Sequence, residues 1–208
     1  MKTATSRVAR FDAAERTVHW MSAISFVYAG LTGLALWSHK LFWLAAVFGG
    51  GTTVRGMHPW GGVVFAFSLG LMFRRWAGQM KLDRDDREWL RQSHKYAVHD
   101  EAGLPEPGRF NGGQKMLFWT QSALALALFA SGVVLWFPEI MPRAIRLAAV
   151  LIHPLAAIGS ITGIIVHIYM GTAVVPGALR AMTRGWVTRR WAASHHPKWY
   201  REISKGRS

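Results

Sequence analysis

The stretch LAAVLIHPLAAIGSITGIIVHIYMGTAVVPGAL, residues 147–179, contains no Asp, Glu, Lys or Arg. An α-helix rises 1.5 Å per residue, so roughly 20 apolar residues cross a hydrocarbon core of about 30 Å. This run is longer than that, and reads as a tilted or protruding membrane helix. Two side chains within it can become cationic, His153 and His167, fourteen positions apart. Fourteen residues is close to four helical turns, so both imidazoles leave nearly the same face, roughly 21 Å apart along the axis. One helix thereby carries a histidine toward each side of a bilayer.

Three other stretches lack formal charge: Val18–His39, Gly56–Phe73, and Met116 up to Glu139. A soluble helix would place charges along one face, whereas here they sit between and outside the apolar runs. The expected fold is an all-α membrane protein, a four-helix bundle in a single domain over 1–208. Its spans cover about 18–38, 56–74, 114–138 and 147–175. A fifth uncharged run, Leu41–Val54, is too short to span, ends in Gly49-Gly50-Gly51, and reads as an interfacial or loop element. Pro138 and Pro142 close the third span, and Pro176-Gly177 marks the end of the fourth or a kink in it. The loop 75–113 has good helix formers over Asp83–His99. Charged residues from Arg7 to Arg16 precede the first apolar run, which is expected to act as an uncleaved anchor. No internal repeat is evident.

The formal net charge of +14 is distributed unevenly. Basic residues gather at the N-terminus, in loop 75–113 and in the tail 180–208, where Trp186, Trp191, Trp199 and Tyr200 interleave with them. The other two loops hold only Lys40, Arg55, Arg143 and Arg146. This alternation is the positive-inside pattern, which is expected to put both termini and the middle loop in the cytoplasm. It also argues against nucleic acid as a partner. The tail suits a surface against lipid headgroups. With no Cys, the chain has no disulfide, no Cys-ligated iron–sulfur cluster and no c-type haem attachment of its own.

With that topology four histidines fall into two layers: His19 with His167 on the inner side, and His58 with His153 on the outer side. A b-type haem needs axial ligands and an apolar slot, and neutral imidazole is a good iron ligand. The expectation is therefore two haem b, each held by two histidines, with the fourth span contributing one ligand to each. Gly30, Gly33, Gly61, Gly62, Gly70, Gly159 and Gly163 would let a flat macrocycle approach the backbone, or equally a neighbouring helix. His39, His94, His99, His195 and His196 are expected to be solvated. By depth alone, Arg55 or Arg143 outside, and Arg16, Lys115 or Arg180 inside, would meet haem propionates.

Three passages carry a resemblance: Arg10-Phe-Asp-Ala-Ala-Glu-Arg-Thr-Val-His19-Trp20, Met57-His58-Pro59-Trp60-Gly61-Gly62, and Arg109-Phe110-Asn111-Gly112-Gly113-Gln114-Lys115. Together with His153-Pro154 and His167 they resemble the gamma subunit of respiratory formate dehydrogenase, the cytochrome b556 family, over nearly the whole chain. The resemblance implies a quinone-reducing dihaem subunit in a bacterial inner membrane. Its partners would be an iron–sulfur beta subunit and an alpha subunit with a molybdenum or tungsten pterin, in a complex that forms a higher oligomer. Electrons from formate would reach the outer haem, then the inner haem, then ubiquinone or menaquinone, which takes protons from the cytoplasm and so builds proton-motive force. Asn111, Gly112 and Gln114 would contact the quinone; Asn111 is also well placed to cap the third span. A cytochrome b subunit of a nickel–iron hydrogenase would share this helix plan, and a haem-free anchor or transporter is the alternative of another class.

Overall fold

The computed structural model describes residues 7–97 and 103–205. In chain order the elements are β1 (Arg7–Ala9), α1 (Ala13–Trp37), α2 (Leu44–Val47), α3 (Gly51–Trp76), α4 (Arg84–Arg91), α5 (Ser93–Ala97), α6 (Gly112–Trp136), α7 (Arg143–Tyr169), α8 (Ala178–Arg184), β2 (Trp186–Thr188), α9 (Arg189–His195) and α10 (Pro197–Lys205). Four helices are long and apolar enough to cross a membrane: Ala13–Trp37, Gly51–Gln79, Gly112–Trp136 and Arg143–Val174. The expected four spans are present; the first three helices are longer than their uncharged runs, and the fourth starts before its run and ends within it. The chain is a mostly helical, multi-pass membrane protein by the composition of these helices. Two compact units divide it: Thr17–Arg74 with Gln121–Ile165, here the helical unit, and the remainder, here the polar unit.

The helical unit is apolar outside and polar inside. Ile24, Leu126 and Leu155 are 69%, 70% and 68% exposed, while Thr32, Ser68 and Ser160 are at 0%. Water would reject this arrangement and hydrocarbon accepts it. The buried hydroxyls are satisfied within the unit. Ser68 donates to the Phe65 carbonyl at 2.9 Å, and Ser160 donates to Gln121 Oε1 at 2.5 Å. Small apolar clusters complete the packing: Phe65, Leu69 and Ala125 with Phe26 and Met72, and Ala35, Ala45 and Val54 with Leu44 and Phe48.

One boundary differs from expectation. The run Leu41–Val54 is not wholly interfacial: it holds the short α2, and its last four residues open α3. The reason lies in the glycines. Gly49 and Gly50 take φ of +86° and +94°, which reverses the chain and lets α3 start at Gly51. His58 therefore lies inside a helix, as does Pro59. At the other end of the spans, α7 passes into a π-helical turn, Met170–Val174, before Pro176 and Gly177 end it.

Three helices have their first turn in the polar unit and start with a reciprocal capping box. Glu15 N–H donates to Asp12 Oδ1 at 2.7 Å while Asp12 N–H donates to Glu15 Oε2 at 2.9 Å. Asp83 and Asp86 do the same at the head of α4, and Asn111 and Gln114 at the head of α6. The acids are also held by cations: Asp12 by Arg75 at 2.5 Å, Glu15 by Arg109 at 2.8 Å, and Asp86 by Lys115 at 2.5 Å. The expected helix over Asp83–His99 is broken into α4 and α5 at Gln92; His99 lies outside the described residues.

The tail is folded rather than draped. β2 pairs antiparallel with β1, Val187 opposite Val8, and Trp89, Val174 and Val175 form a core that Trp191 packs against. The bend before β2 requires Gly185 at φ +81°, where an added Cβ would lie 2.9 Å from the Phe11 carbonyl oxygen. Gly185→Ala is therefore expected to weaken the β1–β2 pairing by about 1–2 kcal/mol from the left-handed backbone alone. Limited proteolysis should then release the tail at a protease concentration that leaves the parent intact.

His196 corrects the expectation of a solvated side chain. It is 2% exposed. Arg10 Nη2 donates to its Nε2 at 2.9 Å, so Nδ1 carries the proton and donates to the Gly108 carbonyl at 2.7 Å. Arg10 in turn lies over Trp191 and Trp199. This contact joins residues distant in sequence, which no local pattern reveals. His195 is half-buried against Trp191, at 5.0 Å between ring centroids, while His39 and His94 are exposed as expected. Burial first, then the Arg10 charge, pushes the His196 pKa well below its ordinary value. The folded state then binds fewer protons than the unfolded state. The stability this group contributes is full above about pH 6.5 and is lost as pH falls below it. Tail protection from protease should fall on acidification through that range, and His196→Gln should flatten the dependence.

Candidate functional site

In the helical unit, His58 on α3 and His153 on α7 face each other. Their ring centroids are 6.2 Å apart and the planes nearly perpendicular, at 80°. Each ring is held by the same small device. Thr32 on α1 donates its hydroxyl hydrogen to the Tyr28 carbonyl at 2.7 Å, and its oxygen lies 3.0 Å from His58 Nδ1. Ser131 on α6 donates to the Ala127 carbonyl at 2.6 Å, and its oxygen lies 3.0 Å from His153 Nδ1. A hydroxyl has one hydrogen, and here the backbone takes it. The oxygen must then accept from the imidazole, so both histidines carry their proton on Nδ1. Both Nε2 lone pairs are left to bind something else.

A glycine follows each hydroxyl residue. A Cβ on Gly33 would sit 3.1 Å from His58 Cε1, and one on Gly132 would sit 3.3 Å from His153 Cε1. A proline follows each histidine, Pro59 and Pro154, inside its helix. A Thr-Gly or Ser-Gly pair thus stands opposite a His-Pro pair, twice. The sequence reading included Gly33 and both histidines but missed Thr32, Ser131 and Gly132. The doubled pattern was the available signal, and it is a faint local repeat.

The two facing imidazoles, each with its Nδ1 engaged, are a donor set suited to iron. Among the described residues no group of three or more His, Cys, Asp or Glu could hold a metal ion. A pair of imidazoles without further protein ligands would suit haem better than a protein-caged ion, with His58 and His153 as the residues that would hold it.

The other predicted residues are placed as follows. His19 lies in α1 and His167 near the end of α7, exposed on its helix; they belong to different units. Of the glycines, Gly61 accommodates a neighbouring side chain, since its Cβ would meet the Tyr28 ring at 2.5 Å. Gly159 makes ordinary contact with Leu124, and Gly30, Gly62 and Gly70 face open space. Asn111 and Gln114 spend their side-chain oxygens on the α6 capping box, at 2.9 and 3.0 Å, which leaves the amide N–H groups as donors. Gly112 packs on α4, where a Cβ would lie 2.8 Å from the Asp86 carbonyl oxygen. Of the proposed propionate cations, Lys115 is engaged with Asp86, Arg16 donates to the Thr183 carbonyl, and Arg180 covers Trp186; Arg55 and Arg143 are exposed.

The model of the family described as prokaryotic cytochrome b561 matches residues 10–185. The formate dehydrogenase cytochrome b556(fdo) subunit of Escherichia coli (strain K12) is 39% identical over 202 residues, covering 95% of this chain and 94% of that one. The nitrate-inducible formate dehydrogenase cytochrome b556 subunit of the same strain is 34% identical, covering 92% and 89%. A formate dehydrogenase cytochrome b556 subunit of Haemophilus influenzae is also 34% identical, covering 95% and 84%. The chain belongs to the prokaryotic cytochrome b561 family, and its membership implies b-type haem.

Proposed function

We propose that this chain is the dihaem, electron-carrying subunit of a formate dehydrogenase complex. It would accept electrons from an iron–sulfur partner at the outer membrane face and deliver them to quinone at the cytoplasmic face. The observation that carries the reading is the matched His58–His153 pair, with both Nε2 lone pairs free and the rings at 6.2 Å. His58 and His153 would hold one haem b, and His19 and His167, on their sequence register, a second. Bound haem supplies a one-electron iron centre. The protein supplies the rest. Thr32 and Ser131 fix tautomer and ring orientation and raise the basicity of each imidazole, and the apolar shell excludes water.

Quinone would dock where Asn111 and Gln114 present their amide N–H groups beside Gly112, each amide oxygen being held in place by the helix cap. A quinone carbonyl is a pure acceptor, so amide donors suit it. The basic side of the bundle is expected to be cytoplasmic. Formate oxidation outside and quinone protonation inside would then separate charge across the membrane without a pump. The relatives are named as cytochrome b556 subunits of formate dehydrogenase, which supports other subunits as partners; the iron–sulfur beta subunit, the metal–pterin alpha subunit and the quinone are our reading.

The test is haem per polypeptide in the purified complex, by pyridine haemochrome. Two b haems per chain support the reading. One would leave a histidine pair structural and break the proposed electron path, and none would return the chain to a membrane anchor.

A further inference from the structure

We propose that Lys115 is the last protein proton carrier to the quinone and that Asp86 holds it in place, an inference that rests on the quinone site proposed above. Lys115 Nζ donates to Asp86 Oδ2 at 2.5 Å, with both residues buried at 9% and 7% exposure. A buried ion pair adds little net stability, because desolvation offsets the attraction, so its presence asks for another reason. Asp86 is the one hydrogen-bond partner of the Lys115 ammonium among the described residues, which leaves two N–H bonds for other company. The pair lines a polar cavity of about 50 Å³, which also touches Gly112, Asp85 and Lys198. That volume holds a few waters. Asp85 and Lys198 are more than half and about half exposed, and 4.0 Å apart, so the far wall of the cavity is at the surface. Gly112, which also lines the cavity, lies in sequence between the two residues whose amides would grip the quinone.

The chemistry balances with what the complex provides. Reduction of quinone takes two electrons, from formate, and two protons. Lys115 gives a proton from Nζ, directly or through one water, to a reduced quinone oxygen. The amine is reprotonated by a proton relayed from bulk solvent through the cavity water, entering at the surface between Asp85 and Lys198. Two passes complete the quinol. Asp86, pinned by the Asp83 N–H at 2.9 Å, keeps the ammonium aimed between passes.

The experiment uses the whole complex with Lys115→Ala, Asp86→Asn and the double variant. The double variant removes both charges together, and so avoids an unpaired buried one. Quinol formation from formate should fall by roughly tenfold or more in Lys115→Ala, within the range of a lost proton transfer. Binding of heptylhydroxyquinoline N-oxide should stay within about twofold, since the amide donors are intact. Methylammonium, small enough for the cavity, should restore a large part of the rate, and a solvent deuterium effect should grow. Quinol formation close to the parent rate in Lys115→Ala would overturn the proposal. So would joint loss of rate and inhibitor binding with no methylammonium rescue, which would mark the pair as structural. Asn111→Ala tests the underlying reading separately: if it leaves inhibitor binding unchanged, the quinone docks elsewhere and the Lys115 proposal falls with it.

Discussion

Replacing His153 by Ala is expected to remove one haem from the protein and leave the other, so that the pyridine haemochrome reading drops from two per chain to one. A b-type haem has no covalent tether, and its retention depends on axial bonds and an apolar slot. His153 offers an Nε2 lone pair because Ser131 occupies its Nδ1–H, and His58 does so because of Thr32. Alanine removes one of the two axial donors and opens a gap beside Gly132, where the imidazole now lies against the backbone. His58→Ala should give the same count if, as proposed, the two rings hold one haem. Ser131→Ala is the informative contrast. It keeps the ligand and leaves a buried Nδ1–H without its acceptor, a loss of about 1–3 kcal/mol. Haem content should then hold, while the midpoint potential of that centre rises as the imidazole becomes a poorer electron donor. Full occupancy of both haems in His153→Ala would show that the facing rings serve packing and not iron.

What could be read in advance depended on range. The four apolar runs are local, and each became a helix; their ends moved because capping is decided by neighbours a few residues away. Asn111 was legible as an N-cap, and Asp12-x-x-Glu15 and Asp83-x-x-Asp86 follow the same spacing. The helical period set His153 against His167 on one face, the charge-based topology paired His58 with His153, and those two rings do face each other. The hydroxyl and glycine that position each ring were hidden, because Thr32 meets His58 across 26 positions and Ser131 meets His153 across 22. His196 was misread for the same reason. Its environment is Arg10 and Gly108, 186 and 88 positions away, and a histidine in polar sequence carries no mark of that burial. The glycines were ambiguous for a different reason. Absence of a side chain says that something comes close without saying what, and at Gly61 it is Tyr28, while at Gly33 it is a candidate ligand.

That distinction makes Gly33 the sharper probe of the two. Gly33→Val is expected to abolish the outer haem while the helical unit still folds. A Cβ there would be 3.1 Å from His58 Cε1, and valine adds two methyl groups around that point. The imidazole cannot retreat without breaking its 3.0 Å contact with Thr32, whose hydroxyl is fixed by the Tyr28 carbonyl. Something must yield, and the axial bond is the contact that depends most on ring position. Gly33→Ala should be milder, with a displacement of a few tenths of an ångström that shifts the haem spectrum and leaves occupancy near normal. Gly62→Ala is the control on the ligand helix itself, because an added Cβ there meets nothing within 4 Å. If the glycine served only helix packing, Gly33→Val would lower the thermal stability of the whole unit and reduce both haems together. Loss confined to one haem, graded from Ala to Val and absent at Gly62, ties the glycine to the position of His58.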